Sequence, residues 1–132
     1  MPDRYRRNKG SLTLIRYHVI WIPRRRRKVL VGDVAKRLIA LLREKATEID
    51  VQIIHLAVEP DYLHLFLDCP PHLAIRQIVF RLKGYTSRIL RKEFEPLRRM
   101  PSMWTTSYFA STAGAVSEQT IAQYINSQGT RD

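Results

Sequence analysis

Hydrophobic residues recur along the 132-residue chain with two different spacings. A spacing of two, typical of half-buried strands, runs through residues 12–23, 51–58 and 62–68, and the aromatic stretch 103–110 predicts a fourth strand. Helical spacing predicts helices over 33–50, over 73–94 and after Ser117, with Asp33 and Ser117 as the N-caps of the first and last. Gly84 inside the second helix predicts a kink or a close approach of another backbone.

The order of these elements is strand, helix, strand, strand, helix, strand, followed by a further helix. It predicts an α+β fold of the ferredoxin-like, split βαβ type, in which an antiparallel sheet carries both linking helices on one face. The length fits a single domain, residues 1–132. Alternation puts the leucines of strand 62–68 under the helices and leaves four side chains on the open face, near His18 of the first strand: Tyr62, His64, Phe66 and Asp68.

Positive charge is concentrated in two segments of the chain. The net charge is +11, and residues 1–28 hold ten Lys or Arg against Asp3 as the one acidic residue, while residues 76–99 hold eight. Such segments suit a polyanion, because each phosphate that a cation neutralises releases condensed counterions. We therefore expect nucleic acid binding, with the phosphate contacts assigned to eight residues: Arg24, Arg25, Arg26, Arg27, Lys28, Arg81, Lys83 and Arg88.

Composition argues against several other classes of protein. The lone Cys69 rules out an internal disulfide, and no apolar run approaches the roughly 18 residues that a membrane-spanning helix needs. The polar start of the chain is unlike a secretory signal. A cytoplasmic protein without a membrane partner is the expectation.

The last helix carries the candidate chemistry. Tyr124 and Gln128 are one helical turn apart and share a face, and Ile121 and Ile125 beside them are expected to dock the helix. A tyrosine beside an apolar stripe is usually an amphipathic anchor, and a histidine such as His64 on a half-buried strand is usually hydrogen-bonded packing. Residue patterns alone therefore leave both readings open.

Four ordered blocks of the sequence add a resemblance to a known family. They are YHVIWIPRRRRKVL (17–30), VEPDYLHLFLDCPP (58–71), IVFRLKGYTSRIL (78–90) and MWTTSYFASTAGAVSEQTIAQYINSQ (103–128). Together they resemble the single-tyrosine, His-hydrophobic-His transposases of the insertion-sequence 200/605 group, which are similar to the transposases associated with repetitive extragenic palindromes. The fold of that family agrees with the order of elements predicted above.

The resemblance implies a function and assigns residues to it. Tyr124 matches the nucleophile that attacks single-stranded DNA at transposon ends and forms a 5′-phosphotyrosine, and His64 and Gln128 match ligands of Mg²⁺ or Mn²⁺. The family motif has histidine where this chain has Tyr62, and a neutral phenol is a far weaker ligand than imidazole. His18 is the candidate that would compensate from the neighbouring strand.

The resemblance also implies partners. They are DNA hairpins at the transposon ends and a second copy of the chain. In the resulting homodimer, the tyrosine helix follows the small residues 111–115. It packs either on the sheet of its own chain or on the sheet of the second copy.

Two alternatives stay open. The first is a DNA-hairpin-binding protein of the same fold whose catalysis is impaired by Tyr62. The second is an RNA-binding sheet in which Tyr62, Phe66 and Tyr108 stack on bases.

Overall fold

A computed structural model gives the structure of residues 5–112 and 116–128. The strands are β1 (Arg6–Asn8), β2 (Ser11–Thr13), β3 (Arg16–Trp21), β4 (Gln52–Glu59), β5 (Tyr62–Asp68) and β6 (Phe109–Ser111). The helices are α1 (Gly32–Glu48), α2 (Ile75–Glu93), the short α3 (Glu95–Arg98) and α4 (Glu118–Gln128), with a 3-10 turn at Arg24–Arg26.

Four strands form the main sheet in the order β4-β5-β3-β6, and every neighbouring pair is antiparallel. The order places the first and third strands of the split βαβ unit, β3 and β5, at the centre of the sheet. The predicted ferredoxin-like fold is therefore confirmed. Among the helices of the described residues, none is both long and apolar enough to serve as a bilayer-crossing segment.

The core lies between one face of this sheet and helices α1 and α2. Leu63, Leu65 and Leu67 of β5 are fully buried in it, as their alternation predicted. Opposite them, β3 contributes Val19 and Trp21. The helices close the core with apolar residues at helical spacing: Leu38, Leu41 and Leu42 from α1, and Ile78, Leu82 and Leu90 from α2.

The strand predicted over 103–110 is wrong in its bounds, since β6 comprises only Phe109–Ser111. Met103 and Trp104 are instead buried in the core, and the backbone there pairs with the segment just after β3 through an isolated bridge between Pro23 and Trp104. Pro23 has no N–H, so a regular ladder stops at this point. The strand predicted over 12–23 is likewise divided into β2 and β3.

The predicted helix signals have mixed outcomes. Ser117 does cap α4, because the Thr120 backbone N–H donates to Ser117 Oγ over 3.1 Å. The prediction for Asp33 is wrong by two positions: the N-cap of α1 is Val31, and Asp33 lies in the first turn, where a carboxylate favours the helix dipole. α2 continues through Gly84, and a Cβ at that position would meet open space among the described residues, so the predicted close approach of another backbone is wrong.

An N-terminal hairpin that the hydrophobic pattern did not reveal is joined to the sheet by ion pairs. β1 and β2 pair across a turn in which Gly10 has a φ of +83°, and Arg6 of β1 reaches Asp68 at the end of β5. Arg6 Nη2 and Arg16 Nε bind the two carboxylate oxygens of Asp68 at 3.1 and 3.0 Å. Asp68 lies on the predicted open face, but these pairs bury it.

Replacing Asp68 with Asn is expected to destabilise the fold by about 3 kcal/mol, because it leaves two half-buried arginines without their carboxylate. Asp50 is the matched control, since it also pairs with Arg6 but its side chain is 73% exposed against 7% for Asp68. Asp50→Asn is expected to cost less than about 1 kcal/mol. Urea unfolding of the two variants makes the comparison, and equal midpoints would contradict the structural role given to Asp68.

Candidate active site

Histidine and aromatic side chains cluster on the open face of the sheet. His18 of β3 and His64 of β5 approach each other, with His18 Nδ1 3.0 Å from His64 Nε2. The ring of Phe66 stacks on His18 at 4.3 Å between centroids, and the ring of His55 lies 6.1 Å from that of His64. The predicted proximity of His18 to His64 is therefore confirmed.

The contact between His18 and His64 has the geometry of a hydrogen bond. Ring centroids 5.2 Å apart and nitrogens 3.0 Å apart fit two rings that point at each other end-on, so one N–H donates to the lone pair of the other ring. Burial lowers the pKa of His64 from 6.5 to about 4, and His18 and His55 contribute in the same direction. His64 is consequently a neutral imidazole at neutral pH.

Tyr62 precedes this pair on the same face of β5, and its surroundings keep its phenol protonated. Burial is the largest cause that raises the pKa of Tyr62, and the negative charges of Glu59, Asp61 and Glu118 raise this pKa further. A phenol ionises near pH 10 even without these effects, so Tyr62 is a poor anionic ligand. Glu118 lies in the first turn of α4, which therefore begins close to Tyr62.

Helix α4 covers the open face of its own chain. Ile125 is its buried residue, and the ring of Tyr124 packs against Phe109 of β6 at 5.9 Å between centroids. Arg26 Nη1 also donates to Asn126 Oδ1 over 3.2 Å, which ties α4 to the turn after β3. The predicted docking through Ile125 is thus present. The link that precedes the helix includes residues 113–115, which lie outside the described residues.

A serine that the sequence patterns did not single out joins the two candidate residues of α4. Ser107 Oγ lies 3.1 Å from the Tyr124 hydroxyl and donates to Gln128 Oε1 over 2.8 Å. Ser107 belongs to the irregular segment before β6, and no sequence motif distinguishes it from its neighbours. It becomes visible only because the fold brings this segment beneath α4.

The tyrosine group and the histidine group lie on the same face of the sheet. Phe109, Ile20 and His64 stand opposite one another on β6, β3 and β5, so they form a row across the sheet. Two strand spacings separate the backbones of Phe109 and His64, or about 10 Å. Tyr124, which packs on Phe109, therefore lies within reach of a substrate that also contacts His64.

The donor set of the described residues does not fit a resident Mg²⁺ or Mn²⁺ ion. His64 Nε2 is hydrogen-bonded to His18, Gln128 Oε1 accepts from Ser107, and the remaining family position holds the neutral phenol of Tyr62. Both ions prefer oxygen ligands with negative charge, and the described part of the chain contains no group of three or more His, Cys, Asp or Glu arranged for a metal. His18 forms a hydrogen bond with His64, and its role as a compensating ligand stays a prediction.

The basic turn after β3 lies beside the end of the tyrosine helix. Arg25 and Arg26 both have a φ of +56°, an uncommon conformation for residues other than glycine, and Arg26 Nε binds Asp61 at 3.0 Å. Arg24 Nη1 donates to Ser102 Oγ over 3.2 Å. The other three predicted cations of the turn are exposed: Arg25, Arg27 and Lys28.

The second basic segment lines a groove between α2 and residues 102–108. The groove holds about 990 Å³ and is bordered by cations and aromatic rings, including Arg81, Trp104 and the 76% exposed Phe80. Arg81 and Arg88 are exposed, as phosphate contacts require. Lys83 instead points at the loop, where its Nζ donates to the carbonyl oxygens of Thr105 over 2.5 Å and of Ser107 over 3.2 Å.

The open face does not present the aromatic platform that the RNA-binding alternative needs. Tyr62, Phe66 and Tyr108 are each half-buried, Phe66 is stacked on His18, and the first turn of α4 lies near Tyr62. Stacking on bases requires exposed ring faces. The structure therefore favours the interpretation that links this face to Tyr124.

Comparison with known proteins assigns the chain to a class of transposases. Residues 11–128 match the model of the family described as Transposase IS200 like, and the chain belongs to this family.

Individual relatives agree with that assignment. The ISDra2 transposase TnpA of Deinococcus radiodurans is 32% identical over 131 residues, which are 97% of this chain and 94% of that protein. The transposase for insertion sequence element IS200 of Salmonella typhimurium is 27% identical over 116 residues, or 86% of this chain and 76% of that protein.

Solved structures show the same fold. A crystal structure from Deinococcus radiodurans R1 superimposes with a TM-score of 0.82 at 35% identity and covers 93% of this chain and 97% of that one. A REP-associated tyrosine transposase bound to a REP hairpin superimposes with a TM-score of 0.60, covering 96% of this chain and 74% of that one. Its identity is 14%, so this second likeness concerns the fold alone.

Proposed function

We propose that the protein cleaves and rejoins single-stranded DNA at transposon ends, with Tyr124 as the nucleophile. The phenolic oxygen of Tyr124 forms a bond to the scissile phosphorus while the bond to the 3′ oxygen breaks. The products are a 5′-phosphotyrosine and a 3′-hydroxyl. The proton that the phenol loses ends on this 3′ oxygen. The observation that carries the proposal is the docking of Tyr124 on the face of the sheet that also bears His64.

The described residues can assist this reaction in two ways, by positive charge near Tyr124 and by holding α4 in place. A phenol with a pKa near 10 is a weak nucleophile at neutral pH and needs stabilisation of its developing anion. Arg26 holds Asn126 two residues after Tyr124, and exposed cations of the same turn stand next to the helix. A phosphodiester between the turn and Tyr124 would therefore meet a positively charged surface.

Dependence of cleavage on Mg²⁺ or Mn²⁺ stays a prediction. Such an ion would act as a Lewis acid on the scissile phosphate. No step is assigned to it, because the donor set described above does not fit one. Cleavage assays with and without EDTA test this dependence directly.

The proposed DNA partner carries a hairpin beside the cleaved strand. Membership of the transposase family supports DNA as the partner, and one protein of the same fold has been solved with a REP hairpin. The groove along α2, with Arg81 and Phe80 at its border, is the surface that we assign to the duplex. A homodimer is expected from the resemblance, although α4 docks here on the sheet of its own chain.

Arg81→Ala and Arg88→Ala are each expected to weaken hairpin binding and to reduce the slope of log affinity against log salt by about 1, because each removes one phosphate contact. Lys36→Ala is the matched control, since Lys36 is an exposed cation of α1 outside both basic segments. Fluorescence anisotropy at several salt concentrations gives the slopes. An unchanged slope in both arginine variants would place the duplex elsewhere.

A second candidate function is hairpin binding without cleavage. It is favoured by the phenol of Tyr62 at the first ligand position and by the closed hydrogen bond between His18 and His64. This protein would retain the salt-dependent binding of the transposase but would form no bond to DNA.

One experiment separates the two functions. The protein is incubated with 5′-labelled and 3′-labelled single strands that contain a transposon-end hairpin, in Mn²⁺ and in EDTA, and is resolved on a denaturing gel. We expect a covalent adduct with the fragment 3′ of the cut, formed slowly because of Tyr62. Tight hairpin binding without an adduct at any metal concentration would establish the second function instead.

A further inference from the structure

Ser107 lies between the proposed nucleophile and the residue that the family motif pairs with it. Its Oγ is 2.8 Å from Gln128 Oε1 and 3.1 Å from the Tyr124 hydroxyl. The two contacts span one helical turn of α4, since Tyr124 and Gln128 are four residues apart. Ser107 thus contacts both of these side chains.

The direction of each hydrogen bond follows from the available protons. The amide oxygen of Gln128 is an acceptor only, so the single hydroxyl proton of Ser107 is donated to it. A lone pair of Ser107 Oγ is then left to accept from the Tyr124 hydroxyl, 3.1 Å away. In this arrangement Tyr124 donates to Ser107 while Ser107 donates to Gln128.

Ser107 is itself held from the opposite side by α2. Lys83 Nζ donates to the carbonyl oxygens of Ser107 and Thr105, so the backbone that carries the serine is fixed to a helix of the core. The ring of Tyr124 also packs on Phe109, two residues further along the same segment. The backbone that carries the Ser107 hydroxyl is therefore held by a contact that does not involve α4.

We propose that Ser107 is the positioning residue of Tyr124. It holds the phenol and Gln128 together in the resting protein, and it becomes the hydrogen-bond donor to the Tyr124 oxygen as that oxygen attacks phosphorus. The reversal requires three changes: the phenol proton leaves and ends on the departing 3′ oxygen, the Gln128 oxygen turns to another partner, and the Ser107 hydroxyl rotates. The second half of this proposal rests on the proposed function of Tyr124, whereas the first half does not.

The test uses Ser107→Ala, with Ser107→Thr as the variant that restores the hydroxyl and Thr112→Ala as a control at an exposed position of the same segment. In the full-length protein without DNA, amide hydrogen exchange of α4 is expected to accelerate about 5-fold in Ser107→Ala and to stay unchanged in the other two variants. Unchanged exchange in Ser107→Ala would overturn the proposed clamp.

The second measurement is the rate of covalent adduct formation at saturating single-stranded DNA. Ser107→Ala is expected to lower this rate about 10-fold to 100-fold with an unchanged half-saturating DNA concentration, and Ser107→Thr is expected to restore it. Faster exchange with an unchanged rate would overturn the positioning role. Absence of any adduct in the unsubstituted protein would overturn the proposed function, and the donor role of Ser107 with it, while hydrogen exchange still decides on the clamp.

Discussion

Tyr124→Phe is expected to abolish formation of the covalent adduct with single-stranded DNA, by at least about a thousandfold, and to leave hairpin binding within about twofold. The substitution removes only the hydroxyl oxygen that would bond to phosphorus. The ring that packs on Phe109 is kept, and so is Ile125, the buried residue of α4. Adduct yield on denaturing gels and anisotropy of a labelled hairpin measure the two quantities.

The control for this variant is Tyr5→Phe, which removes the hydroxyl of a tyrosine that is 58% exposed and belongs to the N-terminal segment. It is expected to behave as the unsubstituted protein in both assays. Equal adduct formation by Tyr124→Phe and the unsubstituted protein would show that another group attacks the DNA.

Tyr62→His is expected to raise the affinity for Mn²⁺ at least about tenfold and to accelerate adduct formation about 10-fold to 100-fold. The new imidazole would stand two residues from His64 on the same face of β5, so both side chains can converge on one ion. It would also replace a phenol that is a poor ligand, because burial and neighbouring carboxylates raise the pKa of this phenol. Titration with Mn²⁺ followed by electron paramagnetic resonance measures binding independently of cleavage.

The matched variant for Tyr62→His is Tyr62→Phe, which removes the hydroxyl without adding a ligand. It is expected to leave both Mn²⁺ binding and adduct formation as they are. If Tyr62→Phe accelerates cleavage as much as Tyr62→His, the phenol obstructs the site and metal affinity is not the cause. If Tyr62→His changes neither quantity, the hydrogen bond between His18 and His64 limits Mn²⁺ binding more than the phenol of Tyr62 does.

The alternation of β5 was enough to predict which side of the sheet forms the core. Leu63, Leu65 and Leu67 are fully buried under the helices, and His64 faces the other side, because a strand has no other way to separate apolar from polar side chains. The same periodicity predicted the order of elements, hence the ferredoxin-like topology. It failed over 103–110, where Met103 and Trp104 fill the core from an irregular backbone.

The candidate site was only partly predictable, because its remaining contacts join segments that are distant in sequence. The helical spacing of Tyr124 and Gln128 places them on one face, but their shared partner Ser107 lies 17 and 21 residues earlier, in a segment without regular structure. The burial of Asp68 depends in the same way on Arg6, which comes from a hairpin with no clear hydrophobic pattern. Contacts of this kind follow from the tertiary fold.

The resemblance to the transposase family was carried by four sequence blocks, and the match over residues 11–128 establishes it. Family membership and cleavage activity are separate questions at Tyr62. The family motif has a metal ligand at this position, and this chain has a protonated phenol there.

Localisation of the DNA on the protein tests the central claim most directly. The protein is incubated with a single strand that contains a transposon-end hairpin, the adduct is digested with trypsin and nuclease, and the modified peptide is sequenced by mass spectrometry. We predict one peptide that carries a nucleotide 5′-phosphate on Tyr124. A phosphate on any other residue, or no modified peptide under conditions in which the hairpin is bound, would contradict the account.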